Sequence, residues 1–263
     1  MSLTFHRTFS FSRSSISMII RLAYEDPLYK QSDLANKTSL GTIYQEAMPR
    51  YAYRAGLLNE KHRLTAFGNV VAQYDPHMER LSTQWLLHYH LAAPHRPTAF
   101  WHFFVTKFFI PGNSFSASEL TYGLEDFLLR QSGKKLAPKS VRSTVTAFTG
   151  TYLKSDGLNR LGILEESAKE TYYVSTVSPP PVWALGYALV DYWQAHFGAR
   201  LTVNLDDLVR DFAVLFLLGE NGFTELLLKL KQEGLLDLYR ISRPYQVVLL
   251  QPNTQFALDK IYA

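Results

Sequence analysis

Between residues 130 and 160 the chain carries Arg130, Lys134, Lys135, Lys139, Arg142, Lys154 and Arg160 against a single acid, Asp156. Such a cluster attracts phosphate oxygens, most of all where it meets the free N–H groups and positive dipole end of a helix N-terminus. Lys134, Lys135, Lys139 and Arg142 lie where a helix start is expected, because Pro138 suits a first helical position. A second set comprises Lys37, Thr42, Gln45, Arg50, Arg54, Lys61 and Arg63. Arg50 and Arg54 stand at i and i+4 and share a helical face, and Lys61 and Arg63 flank a turn. The chemistry these sets point to is contact with a nucleic-acid backbone. The alternative for both is a solvated helix face.

Other reactive side chains do not assemble into a known pattern. His88, His90, His95 and His102 gather in sequence, but His88 and His90 diverge on a helix and Pro94 and Pro97 interrupt the path to His102. A packed or surface histidine group is expected there, and no metal. The pairs Glu165–Glu166 and Asp206–Asp207 are adjacent in sequence, so their carboxylates diverge on a regular element. No glycine-rich phosphate loop, Gly-x-Ser-x-Gly elbow or His-Glu-x-x-His appears. The expectation is a protein that is not an enzyme and uses no cofactor. With no cysteine in the chain, disulfides, thiolate zinc sites and a cysteine nucleophile are excluded.

The elements that would hold these residues belong to an ordinary globular composition, 47% hydrophobic and 19% charged, so a core can form. The net charge of +4 permits nucleic-acid binding without requiring it, which puts the weight on local charge. No apolar run approaches the ~18 residues of a membrane span, and a cytoplasmic protein is expected. The arginine- and serine-rich N-terminus has the composition of a targeting presequence, but Ile16, Ile19, Ile20 and Ala23 give it the core spacing of a helix.

A shape recurs three times along the chain. In the first instance Ser32 can cap a short helix, and a longer one follows over 42–55 with Tyr44, Met48, Tyr51 and Ala55 inward. A hairpin is then expected over 57–65. Pro49 inside the longer helix calls for a kink or a later start. In the second instance Ser116 and Glu119 are spaced as a capping box. The helix opened by Pro138 turns Val141, Val145, Phe148 and Tyr152 inward, leaving Lys139, Arg142, Thr146 and Thr149 outside, and a hairpin is expected over 163–174. The third instance has helices over 182–197, 205–218 and 224–233 and a hairpin over 236–250. Extra helices over 81–93 and 98–109 separate the first two. Trp85, Leu86 and the aromatics of 100–109 should be buried between those two units.

The fold class expected is therefore mostly α with short β-hairpins (α+β), arranged as tandem winged helix-turn-helix units joined by helical segments. The units are placed at 1–93, 94–178 and 179–263. The stretch AGLLNEKHRLTAFGNVVA resembles the end of a recognition helix and wing of bacterial winged-helix proteins, through Arg63, Leu64, Thr65 and Gly68. A broader resemblance, to the bacterial DUF4007 family, rests on Tyr74, Asp75, Pro76, Glu79, Thr83, Trp85, Leu86, Leu87 and His88, then on Phe148, Tyr152 and Leu153. Family members open with Phe-x-Gly-His-x-Ser-Phe, where this chain has Phe-His-Arg-Thr-Phe-Ser-Phe at 5–11, so no role of that glycine or histidine carries over. The resemblance implies a bacterial protein encoded near DNA-modification and phage-defence genes, including those of DNA phosphorothioation, and it assigns no activity. DNA is the expected partner, with other proteins of such a complex beside it. An adaptor that binds those proteins through its winged helices is the second reading, and a sequence-specific transcription regulator the third.

Overall fold

Ser12 opens the first long helix by accepting the Ser15 N–H, and α1 (Arg13–Glu25) buries Ile16, Ile19, Ile20 and Ala23 as its spacing predicts. The computed structural model describes residues 3–133 and 135–263 of the chain. A one-turn α2 (Leu34–Lys37) leads through a turn into α3 (Thr42–Arg54). α3 starts at Thr42 and continues through Pro49, so the later start is not what forms. Pro49 is buried together with Met48 and Tyr51, and the loss falls on the Gln45 carbonyl, which has no amide at i+4 to accept from.

In place of a hairpin over 57–65 there is a single bridge, Leu58 to Leu64. Asn59 closes its tip, with Oδ1 accepting the N–H groups of Lys61 and Arg63 at 2.9 and 3.0 Å. Thr65 then caps α4 (Ala66–Tyr74), and α5 (Leu81–Ala92) and α6 (Ala99–Phe108) follow near the expected bounds.

The next elements are β1 (Ser114–Ser116), α7 (Ala117–Ser132), α8 (Pro138–Leu153), β2 (Leu164–Ala168) and β3 (Thr171–Val174). The capping box of Ser116 and Glu119 is formed in both directions, and Pro138 is the first residue of α8. Val141, Val145, Phe148 and Tyr152 are buried. Thr149, expected outside, is buried as well, and its hydroxyl returns to the Val145 carbonyl at 3.1 Å.

After the proline linker come α9 (Val182–His196), β4 (Thr202–Asn204), α10 (Leu205–Asp211), α11 (Glu220–Gln232), β5 (Leu236–Tyr239), β6 (Gln246–Leu249) and α12 (Thr254–Tyr262). The helix expected over 205–218 breaks after Asp211, and Ala213–Phe216 form a 3-10 turn closed by Leu217 at φ 58°. The break lets Phe212 and Phe216 reach the core, where Phe216 stacks on Tyr89 at 6.0 Å.

Two antiparallel three-stranded sheets result among the described residues, β1-β3-β2 and β4-β6-β5. The same order of helix, strand, helix, helix, strand, strand thus runs from α6 to β3 and again from α9 to β6, with the first strand pairing the last each time. The protein is mostly helical with small antiparallel sheets. The buried side chains form one continuous cluster from Phe5 to Tyr262. Trp101 and Phe104 pack against Phe148 at 5.1 and 4.6 Å, whereas Trp85 lies against Phe216 of the third unit at 5.7 Å.

Candidate nucleic-acid interface

The N-terminal segment 5–15 joins α3 to α8. Phe5 and Phe11 are buried and meet Tyr51 of α3 edge-on at 4.9 and 5.6 Å. The Tyr51 hydroxyl donates to the Phe9 carbonyl at 2.9 Å, and the Phe11 N–H donates to Thr151 of α8 at 3.1 Å. Between the two phenylalanines His6 Nδ1 accepts the Thr8 N–H at 3.0 Å, so its Nε2–H points to Thr144 Oγ1, 3.1 Å away. Arg7 and Thr8 take φ of 46° and 75°. Arg7 keeps a turn that glycine would adopt freely. For a β-branched threonine that conformation costs about 1–3 kcal/mol.

This wedge sets the first turns of α3 and α8 side by side. The groove between them, about 420 Å³, is lined by Arg7, Ile43, Glu46, Lys139, Ser140 and Ser143 among others. Arg7 is held across it by Glu46, Nη2 to Oε2 at 2.7 Å. Lys135 precedes α8, and Lys139 and Arg142 project from its first turns. All three are exposed and none forms an ion pair among the described residues. Lys134 lies outside the described residues. Asp156, the single acid of the segment, is engaged elsewhere: it accepts both Ser12 Oγ and Ser14 Oγ, at 2.7 and 2.8 Å, at the start of α1. Arg130 pairs with Asp126 at 3.0 Å, and Arg160 donates to the Glu79 carbonyl at 2.7 Å.

The first-unit set is dispersed. Lys37 pairs with Asp26 at 2.8 Å, Gln45 donates to the Leu40 carbonyl at 2.6 Å and Arg63 to the Tyr29 carbonyl at 3.1 Å. Arg54 lies over the Phe5 ring at 4.1 Å and donates to the Arg50 carbonyl at 3.2 Å. Burial lowers its pKa. Thr42, Arg50 and Lys61 remain, with Thr42 and Lys61 exposed and Arg50 half-buried. The structure therefore brings together the start of α3, Lys139 and Arg7, whereas Lys135 and Arg142 line grooves that also hold Glu125 of α7. Arg7 escaped the sequence reading because only the partners of its neighbours across the fold, Thr144 for His6 and Thr151 for Phe11, place it there.

The motif residues are framework. Asp75 accepts the N–H groups of Glu79 and Arg80 at 2.9 and 3.0 Å and so turns the chain into α5. Thr83 bonds the Tyr262 hydroxyl at 2.7 Å. His88 is buried, with Nδ1 2.8 Å from the Tyr152 hydroxyl and Nε2 2.7 Å from the Leu215 carbonyl. Burial pulls its pKa down to about 4, and that of His90 to about 3. His95 and Arg96 both bind Asp191, at 3.0 and 2.8 Å, and Tyr89 donates to the same carboxylate at 2.8 Å. Burial pushes the Asp191 pKa up, but the bond from His95 and the charge of Arg96 outweigh it and hold the carboxyl well below its ordinary range. Among the described residues no three His, Asp or Glu side chains form a metal-binding group, and no helix is long and apolar enough to cross a membrane.

A family model described as a protein of unknown function, DUF4007, matches residues 46–256. No curated protein matches the chain. Two solved structures are similar in fold: a magnesium ion-bound crystal structure of SspB, with TM-score 0.79, and a further SspB crystal structure, with TM-score 0.77. Each is 18% identical over 98% of this chain and 87% of that one.

Proposed function

The chain belongs to the DUF4007 family, and from that premise we propose that it is a cytoplasmic, non-enzymatic DNA-binding component of a bacterial DNA-modification or phage-defence system, the setting its family resemblance implies. The units α6 to β3 and α9 to β6 are read as winged helices, with α8 and α11 as their second helix-turn-helix members. Support comes from the repeated element order and from the pairing of the first strand with the last. The first unit is read as a reduced winged helix, with α2 and α3 as its helices and the Leu58–Leu64 bridge as its wing.

One observation carries the binding reading: Lys139, in the basic start of α8, shares a groove with Arg7 and the start of α3, while the acid nearest in sequence, Asp156, is engaged in holding α1. Phosphate contacts of this kind position a protein on a duplex without reading its bases. Each lost contact should reduce the slope of log affinity against log salt by about 0.9. Changing Lys134, Lys135, Lys139 and Arg142 together to Ala should therefore weaken binding to all duplexes alike and flatten the salt dependence by roughly two to four units. Fluorescence anisotropy across a salt series decides it. No duplex affinity of the wild type at low salt would end the DNA reading.

The adaptor reading has its own observation, a groove of about 510 Å³ between α7 and α8 where Tyr122, Leu129 and Leu136 are exposed beside Glu125, Asp126 and Lys135. Partner-dependent complexes that form without DNA would support it. Because a fold relative was crystallised with magnesium, supercoiled plasmid incubated with the protein and magnesium is a further check. Conversion to open circles would overturn the non-enzymatic part of the proposal.

A further inference from the structure

The second and third units carry their charge on opposite elements. In the second, the start of α8 is basic, and the hairpin of β2 and β3 holds Glu165, Glu166 and Glu170 against Lys169. In the third, α10 and α11 open on Asp206, Asp207 and Glu220. The hairpin from β5 to β6 reads Tyr-Arg-Ile-Ser-Arg-Pro-Tyr over 239–245, with no carboxylate. The excess of basic residues thus falls on the helix start in the second unit and on the hairpin tip in the third.

The third hairpin is also organised at its tip. Arg240 and Arg243 place their guanidinium carbons 5.2 and 5.1 Å from the Tyr245 ring centre. Arg243 reaches back to Glu220 at 3.0 Å and Asp206 at 3.7 Å, which ties the tip to the starts of α11 and α10. Arg240 has no ion pair among the described residues. Between the two arginines Ile241 is 95% exposed, more than any other large hydrophobic side chain described. A lone exposed isoleucine signifies nothing by itself. Set between two arginines that lie over the Tyr245 ring, on a tip whose own residues 239–245 include no acid, it has the makeup of a side chain that enters a DNA minor groove, where arginines follow the negative potential and an apolar wedge unstacks a base step.

We infer that the tip of the β5–β6 hairpin is a minor-groove wedge, with Arg240 gripping the groove, Arg243 bracing the tip against Glu220 and Asp206, and Ile241 inserting between base pairs to bend the duplex. The inference rests on the DNA-binding reading, adds a site away from α8, and assigns the third unit its hairpin instead of its helix. A membrane is the poorer fit, because stable attachment takes an apolar helix face or two lipid-like anchors, and the tip offers one isoleucine.

The test uses duplexes labelled at both ends, A·T-rich and G·C-rich, read by anisotropy for affinity and by energy transfer for bending. Wild type should raise the transfer efficiency on binding. Ile241→Ala should bind within about threefold of wild type but lose the bend. Arg240→Ala should weaken binding, more on the A·T-rich duplex, and lower the salt slope by about 0.9. The tip lies outside the core, so both variants should melt as wild type does. Wild-type binding without bending would overturn the wedge, as would variants indistinguishable from wild type, and either result would leave the α8 interface standing. Absence of any duplex binding would remove both. Binding to phosphatidylserine-containing vesicles that depends on Ile241, with no effect on duplexes, would assign the tip to a membrane instead.

Discussion

At the scale of single residues, Tyr152 shows why the family motif is built as it is. Its oxygen accepts the Trp101 indole N–H at 2.8 Å while its proton goes to His88 Nδ1 at 2.8 Å, and His88 Nε2–H continues to the Leu215 carbonyl. Four polar groups are thereby satisfied in a dry core, and α5, α6, α8 and the 213–216 turn are tied at one point. Tyr152→Phe keeps the ring and its packing against Phe148 and Phe109 but orphans the indole N–H and His88 Nδ1. A buried group left unpaired costs roughly 1–3 kcal/mol, so with two orphaned the urea midpoint should fall by an amount equivalent to about 2–6 kcal/mol. An unchanged midpoint would show that the bonds contribute nothing net.

At the scale of elements, the Leu-Thr-x-x-Gly sequence holds the reduced hairpin against α4. The Thr65 hydroxyl donates to the Gly56 carbonyl at 2.6 Å and accepts the Gly68 N–H at 2.9 Å. Gly68 is required because a Cβ there would lie 1.9 Å from the Leu57 carbonyl oxygen. That atom belongs to backbone, which cannot swing aside. Gly68→Ala should therefore destabilise by at least the ~1–3 kcal/mol of an overpacked core, whereas Gly41→Ala, at a site open to solvent, should leave the thermal midpoint near wild type. Equal midpoints for the two variants would contradict the close approach. What could be read from the sequence follows the same division between local and distant causes. Ser116 with Glu119 and Pro138 specify helix starts within one turn, so α7 and α8 were legible. β1 and β4 are three residues each, too short to show an alternation of period 2, and they exist only because β3 and β6 pair with them. The break after Asp211 is likewise imposed by packing, since Phe212 and Phe216 are drawn into the core. The basic residues of α8 were visible as a charge run, and the groove that Lys139 shares with Arg7 was not, because it depends on contacts from one end of the chain to its middle.

At the scale of the whole molecule, α5 carries two buried imidazoles through the centre of the single core, and this makes stability depend on pH. His88 and His90 are neutral in the folded protein, with pKa values of about 4 and about 3, because burial penalises their charged forms. In the unfolded chain both should titrate near 6.5. Above that pH neither state takes up a proton at these sites, and they contribute no slope. Below it the unfolded chain binds two protons that the native state refuses, so unfolding is favoured as the pH falls. The loss begins near pH 6.5 and steepens toward about 1.4 kcal/mol per pH unit for each histidine until the folded values are reached. Ordinary carboxylates titrate near pH 4, so the window from about 7.5 to 5 isolates the histidines. Over that window the urea midpoint should hold from pH 7.5 to about 6.5 and then fall, by the equivalent of roughly 3–4 kcal/mol at pH 5. His88→Gln should remove the His88 share of the slope, whatever it costs at neutral pH, and leave that of His90 together with the smaller shares of His62, His102 and His196, whose pKa values burial also lowers. A midpoint constant from pH 7.5 to 5 would mean that the histidines take up protons in the folded state, and the dry core around α5 would have to be abandoned.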